Sequence, residues 1–152
     1  MVDFTLSDSE QQTRAAARSF AAAHLAGAQA IYSDLATPEE RFQSLQPIYA
    51  AAVKAGLIKA QVPAQIGGSS TNFVEAAILV EEFYTVEASA SLTIFGTGLG
   101  LTPVALAYRP SIHKFLDPFL VCDGEPLASL VFSEPAGVVC ISALFPDPSI
   151  PC

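Results

Sequence analysis

The stretch Glu125 to Gly137, EPLASLVFSEPAG, is the first in this chain that reads as a β-strand, and everything before it is punctuated as helix. A strand alone cannot form a sheet, because its backbone donors and acceptors lack partners. The pattern therefore predicts a mainly α fold of about six helices, with one or two short strands at the C-terminal end. Only 15 residues follow Gly137. The chain thus reads as a helical domain over 2–124, the start of a β-domain over 125–137 that is not completed, and a tail over 138–152.

The helices are legible from their ends. Ser7 followed by Glu10 is a capping box, in which each side chain reaches the other's backbone amide. It opens a first helix over Asp8 to Leu25, with Ala16, Phe20 and Ala23 as a narrow apolar stripe and Gly27 as the stop. Thr37-Pro38-Glu39-Glu40 opens the next: threonine caps, proline fits the first turn, and the acids complement the helix dipole. Pro47 should kink this stretch or divide it into two short helices. Lys54 and Gly56 mark the following end. Pro63 and Gly67-Gly68 break regular structure in a connector over Leu57 to Gly68. Asn72 with Glu75 starts another helix, on which Phe73, Ala77, Val80 and Tyr84 share one face. Glu81 and Glu82 lie about 100° apart around its axis and read as a solvated edge. Further helices are expected over Ser89 to Leu99, from Thr102-Pro103 onward, and from Pro110-Ser111 to about Leu120. The turn Cys122-Asp123-Gly124 then leads into a strand over Pro126 to Phe132.

Composition narrows the function classes. The chain is 51% hydrophobic and 14% charged, with formal net charge −8. No cluster of Lys and Arg exists, so neither nucleic acid nor an anionic membrane surface is an expected partner. So apolar a chain should bury helices on more than one side or carry a surface that something else covers. Ala88 to Tyr108 has no charge over 21 residues, a span that could cross a bilayer. Its three glycines, proline and hydroxyl residues read instead as a buried helix pair. The acidic start MVDFTLSDSEQQ is not a leader, and SIPC is no targeting box, so an intracellular, cytoplasmic location is expected, with no mitochondrial or peroxisomal signal. Cys122, Cys140 and Cys152 form neither a disulfide framework nor a zinc site and read as unreactive thiols.

Few motifs carry chemistry. Gly96-Thr97-Gly98-Leu99-Gly100 lacks the spacing and the preceding strand of a dinucleotide loop. Its glycines should end a helix and admit another backbone. His24 and His113 lack ligand-spaced companions and read as surface or boundary residues, and no metal is expected. No nucleophile elbow exists. Ser133-Glu134-Pro135 remains, where a strand runs into a turn. A strand edge could meet the donors and acceptors of a flat heterocycle, with a hydroxyl from Ser133 and apolar cover from Leu130 and Phe132.

The order of these segments resembles the acyl-CoA dehydrogenase superfamily. A Pro-x-x-x-Gly-Gly connector (Pro63 to Gly68) is followed by Ile78-Leu79-Val80-Glu81-Glu82, then by LGLTP from Leu99, then by a strand into SEPAG from Ser133. Within that superfamily, GLIKAQVP and GEPLASLVFSEP are similar to the fungal nitroalkane oxidases. The resemblance covers Val2 to Gly137. It implies an N-terminal helical domain of an FAD-dependent oxidoreductase acting on CH–CH or CH–NO2 groups, with Leu130, Val131, Phe132 and Ser133 beside the flavin. It also implies a substrate pocket touched by Phe95 and Leu99, a small apolar substrate, and assembly into oligomers. The tail VVCISALFPDPSIPC departs from the family pattern. The family's catalytic carboxylate lies in a C-terminal domain, so no catalytic residue is assigned here. The expectation is a truncated flavoprotein fragment, inactive alone, binding FAD weakly or not at all. Each 100 Å² of apolar surface left uncovered forgoes about 2.5 kcal/mol, which favours self-association or pairing with a full-length homologue. Two other readings stay open: a helical dimerisation module, and a small flavin-free isomerase or cyclase reusing the old cavity.

Overall fold

The computed structural model describes residues 5–107 and 109–131. The described chain is mainly α. Helix α1 (Asp8–Phe20) continues into a π-helical turn over Ala21–Leu25. It is followed by α2 (Ala28–Tyr32), α3 (Pro38–Ser44), α4 (Gln46–Lys54), two 3-10 turns (Lys59–Gln61 and Ala64–Ile66), α5 (Phe73–Tyr84), α6 (Ala88–Ala107), α7 (Pro110–His113) and α8 (Asp117–Leu120).

Local signals set the starts. Ser7 accepts from the Glu10 amide and Thr37 from the Glu40 amide, and both capping boxes close. Asn72 caps α5 by accepting from the Glu75 amide. The Glu75 carboxylate does not turn back to the cap; it accepts from Ser9 at 2.7 Å and from Thr71 at 3.1 Å. That contact ties the starts of α1 and α5 together. Their ends meet through Phe20 and Phe83, so the two helices run side by side in the same direction. Pro47 does divide its stretch into two helices, α3 and α4, which meet at buried Leu45.

Packing shifted several expected faces. Along α1 and its π-helical turn the buried stripe is Ala17, Ala21 and Leu25, continued by Ala28; of the expected stripe, Phe20 is half-buried and packs on the core, while Ala16 and Ala23 are exposed. Gly27 does not end the helical run but caps α2. On α5 the expected inner face is turned outward: Phe73 is 93% exposed, and Val80 and Tyr84 are exposed as well. Ile78 and Phe83 are buried in their place. Apolar residues run most of the way around α5, so spacing alone does not select a side.

Glu82 is the larger correction. It lies not on a solvated edge but inside, 8% exposed, where α1 brings Arg18 Nε to 2.8 Å and Arg14 Nε to 3.3 Å. The Arg18 hydrogen bond and the charges of both arginines hold the Glu82 carboxyl below the usual glutamate range, outweighing the opposing effect of burial. A carboxylate with a depressed native pKa adds stability that is present above its unfolded value and lost as pH falls through the native one. Acid unfolding should therefore begin near pH 4 and steepen below it. In Glu82→Gln that acid-side slope should flatten, while the melting midpoint at pH 7 should fall by only about 2–4 °C, because Arg14 and Arg18 remain open to water when they lose their anion. Thermal melts by circular dichroism from pH 3 to 7 check both. An unchanged acid limb in the variant would mean that Glu82 is not a source of it.

The segment expected to hold two helices is one, α6, 20 residues long with Pro103 inside it. Proline removes one backbone bond, the one to the Leu99 carbonyl. Both Leu99 and Pro103 lie on the outer side, so water can satisfy that carbonyl, and Thr102 Oγ1 adds a bond to the Gly98 carbonyl at 2.9 Å. Ala90, Ser91, Ile94, Thr97, Gly98 and Leu101 of α6 face the core. By length and composition α6 could cross a bilayer; one of its faces is instead spent on the other helices. The expected strand is absent from Pro126 to Val131, which runs without regular structure. With no neighbouring strand among the described residues, no ladder forms there; the only isolated bridge joins Pro63 and Ser70.

Candidate functional site

A groove of about 570 Å³ lies between α6 and the segment that follows Glu125. Ser89, Leu92, Thr93, Gly96, Thr97 and Leu99 form its α6 side, Leu127 to Leu130 the opposite wall, and Phe42 of α3 one end. A side chamber of about 220 Å³ adjoins it and shares Phe42, Thr93 and Leu127. Gln43, Gln46, Tyr49 and Glu125 complete that chamber. The lining is predominantly apolar, with few polar groups, which suits an uncharged chain rather than an ion.

Tyr49 stands where the groove and the chamber meet. Its hydroxyl lies 2.8 Å from Thr97 Oγ1 and donates to the Pro126 carbonyl at 2.5 Å. Burial pushes the Tyr49 phenol above the ordinary tyrosine range, and the Thr97 hydrogen bond only partly opposes this. The hydroxyl is therefore a neutral donor throughout the physiological range. Gly100 serves the same junction. A Cβ there would fall 2.6 Å from the backbone of Ala128 and Ser129, so only glycine lets the wall come this close. The glycine run over Gly96 to Gly100 thus admits another backbone, as expected, but it does not end a helix.

The expected site residues are partly brought together. Leu99 and Leu130 both line the groove. Val131 is 86% exposed at the end of the described wall. Phe95 sits elsewhere, half-buried against Phe83 at 5.5 Å and Tyr84 at 6.2 Å. Phe132 and Ser133, with the Ser133-Glu134-Pro135 turn, lie outside the described residues, as do Cys140, Cys152 and the tail. His24 is exposed and His113 half-buried. Among the described residues no group of histidine, cysteine, aspartate and glutamate could hold a metal. Sequence reasoning missed Phe42, Tyr49 and Thr97. Nothing local distinguishes Phe42 or Tyr49 from core aromatics, while Thr97 was hidden in a run read only for its glycines.

Fold and groove together define a class: a helical domain that presents an apolar cleft between its longest helix and a following segment without regular structure. Residues 7–109 match the acyl-CoA dehydrogenase N-terminal domain, and the chain belongs to that family. It is 55% identical over 140 residues to the nitroalkane oxidase of Podospora anserina, covering 90% of this chain and 32% of that protein. The solved structure of Podospora anserina nitroalkane oxidase superposes with a TM-score of 0.88 at 52% identity, over 99% of this chain and 35% of its own. An active-site mutant of a nitroalkane oxidase crystallised with 1-nitrooctane gives 0.86 at 48%, over 90% and 32%. The chain thus spans about a third of the length of the nitroalkane oxidases it matches, one of which is described as a flavoprotein.

Proposed function

We propose that this chain forms the N-terminal helical part of an FAD-dependent oxidoreductase of the nitroalkane oxidase type. In this reading α6 and Leu127 to Leu130 supply the apolar wall along which a small nitroalkane lies, with Leu99 touching it and Phe95 backing that helix. Leu130, Val131, Phe132 and Ser133 form the edge that meets the flavin. The observation that carries the reading is the groove itself, apolar and open along the segment Leu127 to Leu130. No backbone hydrogen bond joins Leu127 to Val131 to any described residue. Those backbone groups and the exposed side chains of Leu130 and Val131 fit the edge of an isoalloxazine ring. When bound, the flavin supplies the two-electron acceptor. The chain's own residues bind, orient and exclude water, and this reading assigns none of them the role of base.

The reading predicts that the 152 residues alone bind FAD weakly or not at all and do not oxidise 1-nitrooctane. Equilibrium dialysis against FAD, with oxygen-consumption assays, checks this. A tight, yellow, one-to-one complex or enzyme-like turnover would overturn it. A second reading, a helical interaction module, is favoured by the exposed ridge Leu92, Leu99 and Leu106 on α6. These side chains recur every seven residues on the side away from the core, and light scattering would report self-association if the ridge pairs with a second copy.

A further inference from the structure

The wall from Glu125 to Val131 is held with little hydrophobic burial. Leu127, Leu130 and Val131 are 52%, 42% and 86% exposed, and Ala128 is the one residue of the segment that packs against the core. Among the described residues no backbone bond reaches it, and the contacts that hold it there are side-chain bonds and fit. Gln46 Nε2 donates to Glu125 Oε2 at 2.5 Å, but in the open, where water competes. Gly100 makes room for the wall without fastening it. The Tyr49 bond to the Pro126 carbonyl differs, because Tyr49 is 3% exposed and its other partner, Thr97, 1%. A phenol has one proton. Since Tyr49 donates it to Pro126, Thr97 must donate to Tyr49, which gives a directed relay from α6 through α4 to the residue just before Leu127.

We propose that Tyr49 is the positioning residue of this wall: its hydroxyl bond to Pro126, braced by Thr97, sets the gap between α6 and Leu127 and so how bulky an apolar chain the groove admits. The specificity part rests on the reading of the groove as a substrate wall; the clamp does not. Removing the hydroxyl leaves the Pro126 carbonyl and the Thr97 hydroxyl without their shielded partner, and both would turn to water by moving the wall outward.

The test is NMR relaxation on the full chain. In Tyr49→Phe the population of a detached wall, read by relaxation dispersion at Leu127 to Ser129, should rise roughly three- to tenfold. The amides of α1 and α5 should be unaltered. Thr97→Ser, which keeps a hydroxyl, should retain the wild-type pattern, and Thr97→Val should reproduce part of the loosening. Saturation transfer to 1-nitrooctane should weaken in Tyr49→Phe by a similar factor. A wall as ordered in Tyr49→Phe as in the wild type, or loosening spread equally over α1 and α5, overturns the clamp. A wild-type chain that gives no saturation transfer to 1-nitrooctane counts against the substrate-wall reading instead, and the relaxation pattern still decides the clamp.

Discussion

Phe83→Ala should cost this chain about 3–5 kcal/mol, enough to leave a marginal domain largely unfolded at room temperature. Phe83 is completely buried and is the largest such side chain. Its ring stacks on Phe20 with centroids 5.3 Å apart and planes within 10°, and meets Phe95 at 5.5 Å and 52°. Those three rings belong to α1, α5 and α6, so alanine would open a cavity at the point where three helices share contacts. The surrounding backbone can collapse into it only by moving a helix, which is why the upper part of the range applies. Phe73→Ala is the control. Phe73 is the same residue type on the same helix but 93% exposed, and its loss should change stability by no more than about 0.5 kcal/mol. Urea titrations followed by circular dichroism would compare the two. A loss under about 1 kcal/mol for Phe83→Ala would mean that the aromatic stack is not central to the fold.

Gly68→Ala should also be severe, for a backbone reason. A Cβ at Gly68 would lie 1.8 Å from the Val62 carbonyl oxygen and 2.3 Å from its carbon. No rotamer relieves a clash with main chain, so the loop must open. Opening it strains a tight set of bonds: Ser70 N–H to Val62 at 3.0 Å, Ala64 N–H to Ser70 at 3.0 Å, and Gly68 N–H to Pro63 at 3.1 Å. The expected loss is about 2–3 kcal/mol, measured by the same titration. Gly67, its neighbour, is needed for another reason. Its φ of 96° is left-handed, and alanine there should cost about 1–2 kcal/mol through backbone conformation. If Gly68→Ala proved milder than Gly67→Ala, close packing in this loop would not be what fixes it.

The family was readable because its motifs are ordered along the chain, and the groove was only half readable. Leu99 and Leu130 were named through that order for different roles, a substrate pocket and a flavin edge, and the structure puts both on one cleft. Phe95 shared a helix with Leu99 but lies four residues earlier, about 40° around the axis, which is enough to turn it from the groove to the aromatic cluster. Phe42 and Tyr49 reach the site from α3 and α4, and their distance from it in sequence is what hid them.

What the sequence settled by itself was local. Ser7 with Glu10, Thr37 with Glu40 and Asn72 each close a helix start within four residues, using atoms that neighbour one another whatever the rest of the chain does. What only the tertiary structure decided was which side of each helix faces inward. α5 is apolar almost all round, so its phase was chosen by Phe20 and by two arginines on α1 that made room for a carboxylate. Likewise α6 runs through Pro103 because burial on one face outweighs a single lost bond on the other. The expected strand has the same origin: a segment becomes one only when a second backbone lies alongside it, and among the described residues none pairs with Pro126 to Val131.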